Sequence, residues 1–455
     1  MPIINLLVKP ASSLCNMRCR YCFYEDEATH RTQASMGIMT GNTAHRMLAQ
    51  ALAAAGPSGA LHVMFQGGEP TVAGLDFFRD FVAEAARQNT ARIPLSYAIQ
   101  TNGLALDEGW ADFLAEHRFL VGLSVDGDKA LHDEFRVDAA GKGTWTRVQK
   151  NLALLQRRGV ECNLLCVVTR RCAKRAVAVY HALQKTGVSY LQFIPCLDPL
   201  EEARGSRPWS LTPADYGASL CALFDAWYAD WAAGRYTSVR LFEDYVHLAM
   251  GLPPSTCASG GRCGSYFVVE ADGSVYPCDF YVLDPWKLGN LWDTPLEALG
   301  RSEKAAAFLR EGLDRPVACG DCPWAQLCCG GCKRDRTTDA AGQRQNYYCP
   351  SFRQFFAHAE PRLRRIAAAE AAAGKGRQFV KNHRTPLPFG LPLCYANTNL
   401  RCDPGIRKRS GTHECIDQFP RIRLPYPAQG GRNGRPGGHR GVPSGGGGLS
   451  AHLPR

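Results

Sequence analysis

Short apolar runs alternate with longer segments of mixed polarity through the first half of the chain. The runs are rich in β-branched and aromatic residues, which favours strands, whereas the longer segments repeat apolar residues with helical spacing. The runs predict six strands: Ile4–Val8, Leu61–Phe65, Leu95–Gln100, Phe119–Val125, Cys162–Val168 and Tyr190–Ile194. The longer segments predict helices that include Thr43–Ala55, Leu75–Arg87, Trp145–Gln156 and Lys174–Gln184.

This alternation predicts an α/β fold in which helices cover a parallel sheet. Six βα units indicate a partial (β/α)6 barrel over residues 1–235, with functional residues at the carboxyl ends of the strands. Residues 236–373 are rich in cysteine, have few long apolar segments and end in a predicted helix, Ser351–Ala373. They predict a small domain that depends on bound clusters for its rigidity. Residues 374–455, rich in Gly, Pro and Arg, predict a disordered, low-complexity tail.

Charge and cysteine content narrow the class of protein. The net charge of the 455 residues is +11, but residues 385–455 hold ten Lys or Arg and three Asp or Glu, so they supply +7 and the rest only +4. A body this close to neutral argues against binding to nucleic acid. The start of the chain lacks a signal peptide, and no long apolar run occurs, which predicts a cytoplasmic protein without a membrane partner. Twenty cysteines, reduced in that compartment, indicate metal or cluster ligation.

Three cysteines directly follow the first predicted strand. Cys15, Cys19 and Cys22 have the spacing Cys-x3-Cys-x2-Cys. A loop with these separations can wrap three thiolates around one face of a 4Fe–4S cubane and leave one iron open. The open iron can bind the amino and carboxylate groups of S-adenosylmethionine (SAM). The alternatives are a zinc site without its fourth ligand and three ordinary core cysteines.

This loop resembles the signature of the radical SAM superfamily, and the resemblance extends through the predicted βα region. It implies that Gly67, Gly68 and Glu69 of a Gly-Gly-Glu-Pro turn hold the SAM amino group through their backbone. It also implies SAM contacts for Tyr21, Ser124, Arg136 and the backbone of Leu197. A turn serine, a solvated arginine and a core leucine are the alternatives at the last three positions.

Eight further cysteines lie downstream in two segments, enough for two fully ligated 4Fe–4S clusters. A zinc ribbon uses the same residue type. The pattern resembles the SPASM extension of radical SAM enzymes, which implies one cluster on Cys257, Cys263, Cys278 and Cys332 and another on Cys319, Cys322, Cys328 and Cys349. Cys329 is an alternative to Cys328, and nine of the twenty cysteines have no cluster to bind.

Asp279, directly after Cys278, narrows the reaction. Here the chain resembles the anaerobic sulfatase-maturating enzymes, which implies that Asp279 is the general base and that Gln66 lies in the substrate pocket. The implied activity is the radical SAM oxidation of a cysteine or serine in a sulfatase to Cα-formylglycine. The implied cofactors are three 4Fe–4S clusters and SAM. The implied partners are an unfolded or nascent sulfatase and an electron donor such as flavodoxin or ferredoxin.

Two other functions stay open at this stage. One is a SPASM enzyme that modifies another ribosomally made peptide, although Cys15 lies too near the start to leave room for a leader-binding domain. The other is a zinc-rich nucleic-acid-binding protein, which the paired cysteines and the basic charge support and the six βα units do not. A turn carboxylate is the alternative to catalysis for Asp279.

Overall fold

Twelve strands are found in the computed structural model, which describes residues 2–264, 266–338 and 342–372. The predicted tail, 374–455, lies outside the described residues. The strands are β1 Ile3–Val8, β2 Ala60–Phe65, β3 Leu95–Thr101, β4 Leu120–Ser124, β5 Cys162–Val168, β6 Tyr190–Pro195, β7 Ser238–Val239, β8 Phe267–Val269, β9 Ser274–Tyr276, β10 Gly289–Asn290, β11 Arg336–Thr338 and β12 Arg344–Asn346.

The described part of the chain contains fifteen α-helices. They are α1 Phe23–Thr29, α2 Gly41–Ala55, α3 Leu75–Gln88, α4 Glu108–Glu116, α5 Lys129–Phe135, α6 Trp145–Arg157, α7 Arg170–Ala173, α8 Ala176–Gln184, α9 Pro213–Ala232, α10 Arg240–Ala249, α11 Cys257–Gly260, α12 Leu296–Gly300, α13 Glu303–Leu313, α14 Ala325–Cys328 and α15 Cys349–Ala372. Not one of them is long and apolar enough to cross a membrane.

Ten strands form one sheet in the order β10-β9-β8-β1-β2-β3-β4-β5-β6-β7. All neighbours from β8 to β7 are parallel, with Leu6 opposite Phe267 and Val63. Strand β9 pairs antiparallel with both of its neighbours, β8 and β10. The six predicted strands are β1 to β6, so the predicted partial barrel is confirmed. Strands β8, β9 and β10 of the cysteine-rich region extend its first edge.

The predicted helix Lys174–Gln184 is wrong at its start. The structure has two helices there, α7 and α8, because Arg175 leaves the helical conformation with φ −123° and caps the second one. Thr169 begins the first helix by accepting a hydrogen bond from the backbone N–H of Cys172 at 3.2 Å. The short helix α7 therefore covers the end of β5 before α8 continues along the sheet.

Two buried clusters of aromatic and aliphatic side chains hold the layers together. One surrounds Phe65 and Phe81, between the sheet and helices α2 and α3. The other includes Phe224 of α9, Phe242 of α10 and Phe355 of α15, with ring centroids 5.2 to 5.7 Å apart. The last helix is thus packed on the barrel. The division into domains at residues 235 and 236 stays a prediction.

Candidate functional site

The first three predicted ligands lie in the loop that joins β1 to α1. Cys15, Cys19 and Cys22 are partly buried free thiols, and Cys15 Sγ accepts a hydrogen bond from the backbone N–H of Met17 at 3.4 Å. Burial raises the pKa of Cys15 to about 11 and that of Cys19 to about 12. A buried thiolate needs a cation beside it, and the irons of a cluster supply one. The loop therefore fits a cluster.

Two glycines bring the end of β2 against this loop. Gly67 and Gly68 have φ angles of +87° and +45°, in the region that favours glycine. A Cβ on Gly68 would lie 2.3 Å from the carbonyl oxygen of Leu14, and one on Gly67 would lie 2.4 Å from Lys9 Cε. The backbone N–H of Glu69 donates to Leu14 O at 2.8 Å. The predicted SAM-binding turn is thus packed on the cysteine loop.

The side chain of Glu69 fixes the turn itself. Its buried Oε1 accepts hydrogen bonds from the Thr71 N–H at 3.1 Å, the Thr71 hydroxyl at 2.6 Å and the Thr101 hydroxyl at 2.7 Å. Its Oε2 accepts one from the backbone N–H of Asn102 at 2.7 Å. Both carboxylate oxygens thus accept hydrogen bonds within the protein. Contact of SAM with the backbone of this turn stays a prediction.

Asp126 holds two of the predicted SAM contacts, and the sequence analysis did not identify it. Its carboxylate pairs with the guanidinium of Arg136, at 2.9 Å from Nε to Oδ2 and 3.2 Å from Nη2 to Oδ1. It also accepts a hydrogen bond from the hydroxyl of Tyr21 and another from the backbone N–H of Val167 at 3.0 Å. Ser124, at the end of β4, lies two residues before it. The position of Asp126 just after β4 is the sequence feature that could have identified it as a site residue.

A cavity of about 190 Å³ opens beside the cysteine loop. Cys19, Tyr21 and Cys22 line it, together with Leu197, from the segment that follows β6, and Trp209. The structure therefore places Leu197 and Tyr21 on a common cavity, at the carboxyl ends of the parallel strands.

Asp279 forms a second centre, joined to the cysteine loop by Tyr24. The buried carboxylate accepts hydrogen bonds at Oδ2 from the Tyr24 hydroxyl at 2.6 Å and from Gln66 Nε2 at 3.0 Å. Among the described residues, Asp279 Oδ1 and Gln66 Oε1 are buried acceptors without a hydrogen-bond partner. Burial raises the pKa of Asp279, and the ammonium of Lys9 is the strongest opposing influence. Two such acceptors make a site for a hydrogen-bond donor.

The sequence analysis also did not identify Tyr24 and Lys9 as site residues. Tyr24 lies two residues after Cys22, at the start of α1, and Lys9 follows β1 directly. Neither position carries a recognisable motif, because their roles come from contacts with Asp279 and with carboxylates far along the chain. Only their nearness to the cysteine loop could have drawn attention to them.

The structure brings the first downstream set of cysteines together. Burial raises the pKa of Cys278 well above its usual range, and the neighbouring thiols of Cys257 and Cys263 raise it further. Burial also raises the pKa of Cys332 well above its usual range. The charges of Asp335, Cys257 and Cys278 raise it further. These four cysteines come from three separate segments of the chain and lie close enough to influence one another. Their assignment to one cluster stays a prediction from the SPASM resemblance.

The second downstream set converges as well. Burial raises the pKa of Cys328 to about 12, with added contributions from Cys349 and Cys319. Burial raises the pKa of Cys349, and the thiols of Cys319 and Cys322 raise it further. Cys349 begins α15, so the helix that packs on the barrel also carries a predicted ligand.

Cys329 faces another way from Cys328. Its backbone is left-handed, with φ +53°, and its thiol donates a hydrogen bond to the carbonyl oxygen of Gln326 at 3.4 Å. After burial, the strongest influences on its pKa are the charges of Arg315 and Arg262. This arrangement favours Cys328 as the ligand.

The three sets of cysteines suit iron–sulfur clusters better than single metal ions. Among the described His, Cys, Asp and Glu residues, no group of three or more is close enough together for a single metal ion. A 4Fe–4S cluster does not demand such closeness, because each thiolate binds a different iron. Three partly buried sets of cysteines, with three, four and four members, therefore fit three such clusters.

Comparison with known proteins gives the same result. The radical SAM superfamily model matches residues 10–171, and the SPASM iron–sulfur cluster-binding domain matches residues 257–323. A cysteine-type anaerobic sulfatase-maturating enzyme of Clostridium perfringens (strain ATCC 13124) is 42% identical over 81% of this chain and 99% of its own. A serine-type enzyme of Klebsiella aerogenes is 31% identical over 77% and 84%.

A solved structure is similar over the same region. Native anSMEcpe with bound AdoMet and the Cp18Cys peptide has a TM-score of 0.77 and 41% identity, and the match covers 81% of this chain and 99% of that one. The fold and the cysteine sets thus define a radical SAM enzyme with a SPASM extension. Within that class, the chain belongs to the family of anaerobic sulfatase-maturating enzymes. It carries three iron–sulfur clusters and binds SAM.

Proposed function

We propose that this chain oxidises a cysteine of a sulfatase polypeptide to Cα-formylglycine, with Asp279 as the proton acceptor. The observation that carries the proposal is the buried pair of free acceptors, Asp279 Oδ1 and Gln66 Oε1, beside a carboxylate oxygen already held by Tyr24. Cysteine is the proposed target because identity is 42% to a cysteine-type relative and 31% to a serine-type one.

Eleven cysteines are the proposed cluster ligands: Cys15, Cys19 and Cys22; Cys257, Cys263, Cys278 and Cys332; Cys319, Cys322, Cys328 and Cys349. When bound, the clusters and SAM supply a 5′-deoxyadenosyl radical that removes a hydrogen atom from the substrate Cβ, and acceptors for one further electron. The three-cysteine loop leaves one coordination position for SAM, whereas the two sets of four leave none.

The protein's own residues orient SAM before the reaction. The turn of Gly67, Gly68 and Glu69 presents backbone atoms beside the cysteine loop. Asp126 holds the guanidinium of Arg136 and the hydroxyl of Tyr21 in place, and Ser124 and Leu197 complete the proposed contacts. Because these groups are fixed by one another, they need no rearrangement when the ligand binds.

Asp279 acts on the substrate thiol. Tyr24 and Gln66 donate to Oδ2 and hold the carboxylate in one orientation, so Oδ1 is the oxygen that takes the thiol proton. Gln66 Oε1 is placed to accept an N–H of the peptide. Loss of a hydrogen atom from Cβ, a proton from sulfur and one electron leaves a carbon–sulfur double bond. Water converts this thioaldehyde to the aldehyde and releases hydrogen sulfide.

The substrate and the electron donor follow from the same site. Asp279 is buried, with 3% of its surface exposed, so the target cysteine must enter on an extended stretch of chain. An unfolded or nascent sulfatase offers such a stretch. Reductive cleavage of SAM consumes an electron, which an external donor such as flavodoxin or ferredoxin supplies. A cytoplasmic location stays a prediction from the sequence.

The test is a peptide assay with the anaerobically reconstituted enzyme. With SAM, dithionite and a peptide containing Cys-x-Pro-x-Arg, we expect a mass loss of about 18 from the peptide, and Asp279→Asn should abolish it while deoxyadenosine still forms. A matched Ser peptide reports the target residue. Deoxyadenosine without any change in either peptide would refute the proposed substrate, and normal oxidation by Asp279→Asn would refute the proposed base.

A further inference from the structure

Lys9 is a charged side chain in an enclosed position. The residue is 2% exposed, and its stem runs beneath Gly67, where an added Cβ would lie 2.4 Å from Lys9 Cε. Its Nζ lies 3.4 Å from Glu27 Oε2 and 4.0 Å from Glu270 Oε1. Burial of an ammonium is costly unless carboxylates surround it, so this position is maintained by specific partners.

Glu27, Glu270 and Arg31 complete a buried four-charge group with Lys9. Arg31 Nη1 lies 2.6 Å from Glu270 Oε1, and Glu27 Oε1 accepts the backbone N–H of Val282 at 2.8 Å. Two cations and two carboxylates balance one another. The group ties together the end of β1, the helix α1 and the segment after β9.

The ammonium also contacts the residue that holds Asp279. It lies over the face of Tyr24, 4.8 Å from the ring centroid, and the hydroxyl of the same ring donates to Asp279 Oδ2 at 2.6 Å. Burial lowers the pKa of Lys9, but Glu27, Glu270 and Asp279 raise it above its ordinary value. The side chain therefore stays cationic and attracts the ring.

We propose that Lys9 is a positioning residue for peptide oxidation, which acts through the ring of Tyr24 to orient the Asp279 carboxylate towards the substrate. This inference rests on the proposed role of Asp279. The ring of Tyr24 contacts the ammonium at its face, and its hydroxyl is held by Asp279 and Gln66. Without the ammonium, the ring loses the cation at its face, so the hydroxyl that orients Asp279 together with Gln66 is held less precisely. Deoxyadenosine then forms without productive proton removal from the peptide.

Lys9→Met tests this role, because methionine keeps an unbranched stem beneath Gly67 and removes the charge. We expect formylglycine formed per deoxyadenosine to fall about tenfold, as small misplacements in active sites do. The loss should lie in kcat, whereas KM and the peptide Kd measured without SAM should change less than about twofold. Lys9→Arg, which returns a cation to the face of Tyr24, should recover part of the lost formylglycine formed per deoxyadenosine. Lys150→Met, at an exposed position on α6, is the matched control and should behave as wild type.

A double variant separates positioning from charge balance. Lys9→Met/Glu27→Gln removes both charges of the 3.4 Å pair, and the glutamine oxygen can still accept the Val282 N–H. We expect it to regain the thermal stability that the single variant loses, but not the coupling of deoxyadenosine to peptide oxidation. Restored coupling in the double variant, or an unchanged ratio in Lys9→Met, would overturn the inference.

Asp279→Asn, assayed in parallel, distinguishes this failure from that of the proposed function. If Asp279→Asn forms deoxyadenosine without oxidising the peptide, while Lys9→Met oxidises as much peptide per deoxyadenosine as wild type, the role of Lys9 alone is overturned. Normal peptide oxidation by Asp279→Asn would overturn the role of Asp279 and this inference with it.

Discussion

Gly68→Ala provides a stringent test of how the SAM site is built. The glycine has φ +45°, and a Cβ there would lie 2.3 Å from Leu14 O and 2.8 Å from Ser12 O. Both are backbone atoms of the loop that carries Cys15, so they cannot swing away as a flexible side chain would. Real Cβ contacts are essentially never shorter than 3.0 Å, so Leu14 O must move by at least 0.7 Å (3.0 minus 2.3).

The size of the effect follows from these distances. A left-handed alanine alone costs about 1 to 2 kcal/mol. The forced movement of the cysteine loop adds to that cost, and a misplacement approaching 1 Å in an active site can reduce the rate about 100-fold. We therefore expect Gly68→Ala to weaken SAM binding by at least about tenfold and to reduce peptide oxidation by about 100-fold.

Gly141→Ala is the matched control for this prediction. Gly141 has φ +73°, but an added Cβ would meet nothing within 4 Å, so the variant carries the backbone strain without the clash. Equilibrium dialysis of SAM under anaerobic conditions and thermal unfolding compare the two variants directly. If Gly68→Ala bound SAM as tightly as Gly141→Ala, close packing of the turn on the cysteine loop would not be what shapes the site.

Three other predictions test separate parts of the structure. Asp126→Asn leaves the buried guanidinium of Arg136 without its counter-charge and should cost about 3 to 5 kcal/mol of stability, together with SAM affinity; unchanged thermal unfolding would contradict it. Burial raises the pKa of Glu243 from 4.5 to about 7, so the folded state favours its protonated form. The stability that this preference contributes is fully present below the unfolded pKa of about 4.5 and is lost as pH rises through about 7. Glu243→Gln should therefore flatten the decline in unfolding temperature between pH 5 and 7.5, and an equally steep decline would count against this cause. Cys328→Ala should remove about four irons per chain, whereas Cys329→Ala should remove none, and iron analysis that shows the reverse would exchange the two cysteines as ligands.

The first six strands and the cysteine spacings could be read from the sequence because both depend on short stretches of chain. The strands β1 to β6 lie within about one residue of their predicted ends, since each is a short, mostly apolar run in a buried parallel sheet. The spacing of Cys15, Cys19 and Cys22 and the Gly-Gly-Glu-Pro turn are equally local. The split between α7 and α8 was missed because it depends on the backbone conformation of one residue, Arg175.

The charged groups around the site were decided only by the tertiary structure. Lys9 and Glu270, or Tyr24 and Asp279, stand more than two hundred residues apart along the chain, and no periodicity links them. They meet because β8 pairs with β1 and so brings the cysteine-rich region to the first edge of the barrel. Local pattern determined which chemistry this chain carries. The long-range pairing of strands determined which side chains surround it, because a buried charge is placed by its partners and not by its neighbours in sequence.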